Sequence, residues 1–362
     1  MRIIHLSYAP VLWYSDPQAW LKRISFFTGI AEEMGRLHDV ASIHTIAFDG
    51  EVKSSAVTYY FLRATRWQLI FPHKINRFLR EQDPDVVIIH GFHFSWPSLL
   101  LRMVLRKRVK FFLQHHAERP LRFPKSILQQ GLDRFISGYF FTSHALAEGW
   151  VQRKQIRNRS VLHEVMEASS TFHYEDRESA RAKTGVTGHR VYLWIGRFDE
   201  NKDPITLIKA FEEFERNYKH AKLYIIYQKD DLNGVVERMT HSQSVVFVGK
   251  LDHDQMIHWC NSADFIISTS HYEGSGIAVC EAMSCGCIPI LSDIPSFRMM
   301  TDEGKYGLLF ERGNIQSLVH ALNKSASISI EEFRPKVLHR FDEALSFKAI
   351  AGKMIDVIES KL

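Results

Sequence analysis

The chain has 362 residues, 45% apolar and 24% charged, with 46 Lys and Arg against 41 Asp and Glu. That length exceeds what one hydrophobic core usually supports, so two domains are expected, and the composition excludes a disordered, collagenous or low-complexity chain. The charge is unevenly spread: residues 1–165 hold 23 basic against 13 acidic side chains, a surplus of +10, and residues 166–362 hold 23 against 28, or −5.

A basic first half is expected to meet something anionic, such as a phospholipid surface or a diphosphate-linked acceptor. Nucleic acid is the competing partner, but no recognition motif supports it, and none is assigned. Met1 is followed at once by a strand pattern, Arg2–Ser7, so no signal peptide is expected. No apolar run is long enough to span a bilayer, so the protein is expected to be cytoplasmic, with peripheral contact at the inner face of a membrane as the alternative. The four cysteines, Cys260, Cys280, Cys285 and Cys287, lack zinc spacing and read as small buried thiols.

In chain order, buried-strand patterns occupy Arg2–Ser7, Ala41–Ala47, Val57–Phe61, Asp85–His90, Val109–Gln114 and Tyr139–Thr142. Helical patterns fall between several of them, including Ala19–Leu37 and Arg66–Glu81. Alternation of this kind gives a parallel, doubly wound sheet. Gln114-His115-His116 leaves a strand at its carboxyl end, where open sheets hold ligands. Trp13, Tyr14 and Trp20 either line an acceptor site or pack in the core. Two basic stretches, residues 66–80 and 102–110, either lie on an anionic membrane or form solvated helix faces.

The second half repeats the alternation. Val191–Ile195 reads as a strand that turns at Gly196-Arg197 and feeds a helix with Asp203 as N-cap and Pro204 in its first turn. Two cations, Arg197 and Lys202, flank this loop and suit a diphosphate. Lys222–Tyr227 and Val245–Leu251 are further strands. Asp264–Ser270 is another, followed by Tyr272-Glu273-Gly274-Ser275-Gly276-Ile277-Ala278 and then by Glu281 on an apolar helix. Here a helix N-terminus offers free backbone N–H groups to an anion while two carboxylates flank it to receive hydroxyls. Ser346 opens a last helix with Phe347, Ile350, Met354 and Val357 at helical spacing.

The run from Glu273 to Glu281, with its Glu-Ala-Met and Cys-Gly continuation, resembles the E-x7-E signature of family-4 retaining glycosyltransferases of the GT-B fold. Gly196-Arg197 and Lys202 are similar to that family's Gly-Arg-x5-Lys phrase, with four residues here between Arg197 and Lys202. The resemblance implies an α/β chain of two Rossmann-like, doubly wound domains facing across a cleft. Residues 1–162 are then the acceptor domain, 163–345 the nucleotide-sugar domain, and 346–362 a helix crossing back to the first. It also implies roles: Glu273 on the donor sugar, Glu281 on the ribose, Arg197 and Lys202 on the diphosphate, and His116, or failing it His115, at the sugar or the nucleophile. Gly274, Ser275, Gly276, Ile277, Ala278 and Gly196 complete the donor site, with Lys250 and Leu251 beside the base.

The family's pattern is departed from in three places. Tyr8–Ser15 replaces a paired-glycine loop, Gln228-Lys-Asp-Asp replaces Gly-x-Gly, and Val161–Ala168 lacks an Asn-Gly turn, which leaves Glu164 and Glu167 without a role. The implied activity is retaining transfer from a nucleotide sugar, UDP- first and GDP- or ADP- as alternatives, to a glycan or lipid-linked acceptor in bacterial envelope polysaccharide synthesis. No cofactor is implied, and no metal if the cations neutralise the leaving diphosphate. The competing readings are a GT-B epimerase or phosphorylase and a non-catalytic binding module on the same fold.

Overall fold

The computed structural model describes residues 1–228, 232–240 and 242–362. The loop reading at Gln228-Lys-Asp-Asp falls on residues 229–231 and so lies outside the described residues. Two compact units emerge: Met1–Ser169 with Phe347–Leu362, and Ser170–Ser346.

The first unit is built on β1 (Arg2–Val11), β2 (Asp39–Ile46), β3 (Gly50–Lys53), β4 (Val57–Phe61), β5 (Val86–His90), β6 (Lys110–Gln114), β7 (Ile136–Phe141) and β8 (Leu162–Glu164). They form one sheet in the order β3-β4-β2-β1-β5-β6-β7-β8, parallel except for the β3–β4 hairpin. The central strands are continuous apolar runs, as strands covered on both faces must be. Ile88, Ile89, Phe111 and Phe112 are fully buried.

Right-handed crossovers place the helices that follow β4, β5 and β6 on one face, because each connection moves the chain in the same direction across the sheet. The helix Ser25–Gly35 returns the chain the other way, from β1 to β2, and the last helix, Phe347–Glu359, packs against it. A Cβ on Gly29 would sit 2.6 Å from the Phe347 ring, so the two helices approach closely at that point.

Two expected helices are each broken in two. Ala19–Leu37 is Pro17–Arg23 followed by Ser25–Gly35, with Ile24 between them off the helical region at φ −108° and ψ 20°. Residues 66–81 form Arg66–Ile70 and His73–Glu81, separated at Pro72, whose ring cannot continue a helix from the preceding turn. The stretch expected to loop from Tyr8 instead continues β1 to Val11. There Pro10 pairs with Thr45 and Val11 with Ile46 after a register shift.

The second unit holds β9 (Arg190–Arg197), β10 (Ala221–Gln228), β11 (Val245–Gly249), β12 (Phe265–Ser268), β13 (Ile288–Ser292) and β14 (Leu308–Phe310), all parallel in the order β11-β10-β9-β12-β13-β14. The order reverses between β9 and β10 on one side and β12 on the other, the switch point at which open sheets bind ligands. All four cysteines are free and buried. Among the described residues no helix is long and apolar enough to cross a membrane.

Candidate active site

In the second unit the loops after β9 and β12 are stitched together at the switch point. Asp203 caps the helix Pro204–Glu215 by accepting from Thr206 N at 3.1 Å. Asp199 accepts from Lys202 N at 2.8 Å and pairs with Arg197 at 3.1 Å. Thr269 donates to the Lys202 carbonyl at 2.6 Å, and Asn201 donates to the Tyr272 carbonyl at 3.0 Å. These bonds bring the Lys202 ammonium onto the Glu273 carboxylate as an ion pair.

The helix Ile277–Ser284 starts three residues after Gly274. Gly276 is its N-cap at φ 58°, and no side chain caps it. A Cβ at Gly276 would lie 2.7 Å from the Phe297 ring, so both backbone angle and space call for glycine. Gly274 and Ser275 are buried, and the first-turn N–H groups of Ile277 and Ala278 belong to the set that a helix leaves without intrahelical partners. Glu281 is buried one turn further in and bonds His253 Nε2 at 2.6 Å. His253 begins the helix after Lys250 and Leu251, of which Lys250 is exposed and Leu251 half-buried. Gly196 carries β9 past the Trp194 ring, which a Cβ there would meet at 2.8 Å. Carboxylates, cations and the first-turn amides of Ile277 and Ala278 thus converge within one unit.

The first unit holds a cavity of about 410 Å³ at the carboxyl ends of β5 and β6. Val11, Trp20, Ile24, Phe27 and Phe94 form apolar walls, and His5, His90 and His116 form a polar floor. Glu118 sets His116 in place: its carboxylate accepts from His116 N at 2.7 Å and from Phe92 N at 2.8 Å. Gly91, at φ 94°, allows that approach, since a Cβ there would be 3.0 Å from Glu118 Oε1. His115 is buried beneath, bonded to the Glu118 carbonyl at 2.8 Å and stacked on Phe141, and does not line the cavity. Trp13 is 79% exposed and also outside the lining. Tyr14 packs on Trp20 at 5.2 Å between ring centroids, and it is Trp20 that faces the cavity.

Three imidazoles run in a line. His116 Nε2 lies 3.0 Å from His90 Nδ1, and His90 Nε2 lies 3.0 Å from His5 Nδ1. At the other end His116 Nδ1 pairs with buried Glu167. Burial pushes His5 and His44 down to about 4, and the neighbouring His5 adds to the effect on His44. Burial likewise holds His90 well below its ordinary range. For His116 burial again disfavours charge, but the carboxylates of Glu167 and Glu118 outweigh it and raise the ring. A charged His116 donates from both nitrogens, and the neutral rings then take one consistent pair of tautomers, assigned from the network: His116 to His90, His90 to His5. His5 Nε2 ends the line, buried and without a partner.

Glu167 and His253, which the motifs did not reveal, join the candidate site through their contacts with His116 and Glu281. Glu164, its neighbour, only holds the start of the helix His144–Gln152 by accepting from His144 N at 3.1 Å.

Residues 176–340 match the sequence model of the family described as Glycosyl transferases group 1. A GDP-mannose:cellobiosyl-diphosphopolyprenol alpha-mannosyltransferase of Xanthomonas campestris is 27% identical over 300 residues, covering 78% of this chain and 75% of that protein. A poly(glycerol-phosphate) alpha-glucosyltransferase of Bacillus subtilis is 31% identical over 132 residues, 35% of this chain and 19% of that protein. Among solved structures, sucrose-phosphate synthase from Thermosynechococcus elongatus superposes with a TM-score of 0.74 at 16% identity, covering 99% of each chain. A glycosyltransferase from Rickettsia africae gives 0.74 at 14% identity over 99% and 98%. Residues 176–340 thus resemble the group 1 glycosyl transferases, and the chain as a whole has the two-domain GT-B fold of these solved structures.

Proposed function

We propose that this protein is a glycosyltransferase, which takes its sugar from a nucleotide-sugar donor held by the second unit and transfers it with retention to a glycan or lipid-linked acceptor met by the first. The observation that carries this reading is the pairing of Lys202 with Glu273 beside the uncapped helix at Gly276. A donor diphosphate displaces the Lys202–Glu273 contact: Lys202 and Arg197 take the phosphates with the first-turn amides, and Glu273 is released to the sugar hydroxyls. Glu281 and His253 hold the ribose, and the backbone at Lys250 and Leu251 meets the base. Charge on the leaving diphosphate is then stabilised by fixed groups, the main lever available to such a site. The two cations and the amides fill the place a metal would take. The acceptor proton passes to a donor phosphate oxygen as the new glycosidic bond forms on the face the diphosphate leaves.

Glu167 favours the charged form of His116, and in that form the ring brings a cation to the cavity. Contact with a sugar hydroxyl requires its bond to His90 to be exchanged for one to the ligand. The Xanthomonas relative, an alpha-mannosyltransferase from GDP-mannose to a cellobiosyl-diphosphopolyprenol, supports a GDP-sugar donor and a lipid-diphosphate acceptor. A GDP-sugar therefore stands ahead of a UDP-sugar as the first donor to test.

A thermal-shift panel of GDP-, UDP- and ADP-sugars and the bare nucleotides tests the donor site, because a ligand of the folded state raises the melting temperature by mass action. One donor is expected to shift wild type and to lose its effect in Arg197→Ala. No shift with any of them would overturn the assignment. Glu273→Ala is expected to lose turnover far beyond its loss of donor affinity; equal losses would mark a binding module.

A further inference from the structure

The first unit carries an apolar and cationic face that neither the cavity nor the donor site uses. Nine of the sixteen exposed large apolar side chains among the described residues lie between residues 67 and 135. Residues 62–135 also hold 14 Lys and Arg against five Asp and Glu, nearly the whole cationic surplus of the first half. Most of these apolar side chains and six of the basic residues, Arg66, Lys74, Arg77, Arg80, Arg102 and Lys125, belong to one layer of helices, and the other basic residues lie in the connecting segments and on β6. Residues 66–81, Ser95–Val104 and Lys125–Leu132 follow β4, β5 and β6 and cover the same face of the sheet.

The three segments are neighbours. Trp96 donates to the Ile70 carbonyl at 2.9 Å, and Ser95 donates to Gln129 at 2.9 Å. Each segment begins where its strand leaves the sheet, so the starts of all three gather at the carboxyl end. There Trp67 is 75% and Phe123 80% exposed, with Ile70, Phe71, Trp96 and Ile127 also exposed. Exposed Arg122 and Lys125 flank Phe123. Cavity residues His90, Phe94 and His116 occupy the same end of the same sheet.

A contiguous apolar patch left to water marks an interaction surface. Exposed tryptophan and phenylalanine rings set among cations suit the headgroup level of a bilayer. A second copy would bring like charges together across a self-complementary contact. We propose that this face docks on an anionic phospholipid bilayer, with Trp67, Ile70, Phe71 and Phe123 entering the headgroup region and Arg122 and Lys125 meeting lipid phosphates. Docking there sets the carboxyl end of the sheet, and the cavity with it, next to the lipid surface.

The full chain is sedimented with vesicles of phosphatidylcholine alone or mixed with phosphatidylglycerol, at low and at molar salt, while tryptophan emission is followed. Neither donor nor turnover is needed, so the outcome is independent of the glycosyl-transfer reading. Binding is expected only to the anionic vesicles, with a blue-shifted emission and loss at high salt. Trp67→Ser with Phe123→Ser, and separately Arg122→Glu with Lys125→Glu, are each expected to weaken it about tenfold or more. Leu37→Ser, at a residue 73% exposed at the end of the helix from β1 to β2, is expected to leave it unchanged. Three results would overturn the proposal: no binding to anionic vesicles, equal binding by all variants, or a concentration-dependent dimer that the Trp67 and Phe123 changes abolish. Unchanged melting temperatures establish that the variants fold.

Discussion

Glu167 sets the charge of His116, because without its carboxylate burial works on that ring opposed only by Glu118. In Glu167→Gln the imidazole is expected to titrate at lower pH than in wild type, as read by NMR of the ring protons. A folded-state value raised above the unfolded one stabilises fully below the unfolded value, and the gain fades as pH rises through the folded one. Glu167→Gln is therefore expected to cost about 3 kcal/mol near pH 6 and less at higher pH, by denaturant melts. His5 and His44 have the opposite sign. Both titrate near 4 when folded, so the unfolded chain takes up their protons first as pH falls from the ordinary histidine range. Each is expected to remove up to about 3 kcal/mol of stability between pH 7 and 4. A flat stability curve over that range would show the rings to be charged in the native state. His116 was legible in the sequence because it follows a buried strand directly. Its partners were not, since His5, His90 and Glu167 reach it from separate strands and a loop, and no local spacing encodes which ends of a sheet meet.

At the level of elements, the buried strands were the most legible, since a parallel strand covered on both faces writes itself as an unbroken apolar run. Breaks in helices were harder to read: the apolar period of Ala19–Leu37 continues across Ile24 although the backbone does not. The loop after β12 was legible as glycine, helix start and two carboxylates. Its closure on the β9 loop through Thr269 and Asn201 was not, because those bonds link residues about seventy apart through backbone carbonyls. Gly276→Ala places a side chain at positive φ against Phe297, and is expected to cost about 1–3 kcal/mol in a denaturant melt and to abolish the donor-induced thermal shift. Lys202→Ala leaves the mostly buried Glu273 carboxylate without its cation, and is expected to cost about 1–3 kcal/mol in a denaturant melt. It is also expected to lower turnover, about 10²- to 10³-fold in kcat, the range seen when one fixed stabiliser of developing charge is removed.

For the whole molecule, composition indicated two domains and an uneven charge, and most of that surplus falls in residues 62–135 of the first unit, on its helical layer and the segments that connect it. The first unit is not one stretch of chain. Its sheet is complete by Glu164, yet the helix that covers Ser25–Gly35 comes after the entire second unit, at Phe347–Glu359. Ile350, Ala351, Met354, Ile355 and Ile358 are buried in that helix. A chain emerging from the ribosome must therefore carry an uncovered apolar surface on its earlier half while 177 residues of the second unit, Ser170–Ser346, are made and folded. Order of synthesis and order of completion are reversed, and the half that begins first is finished last.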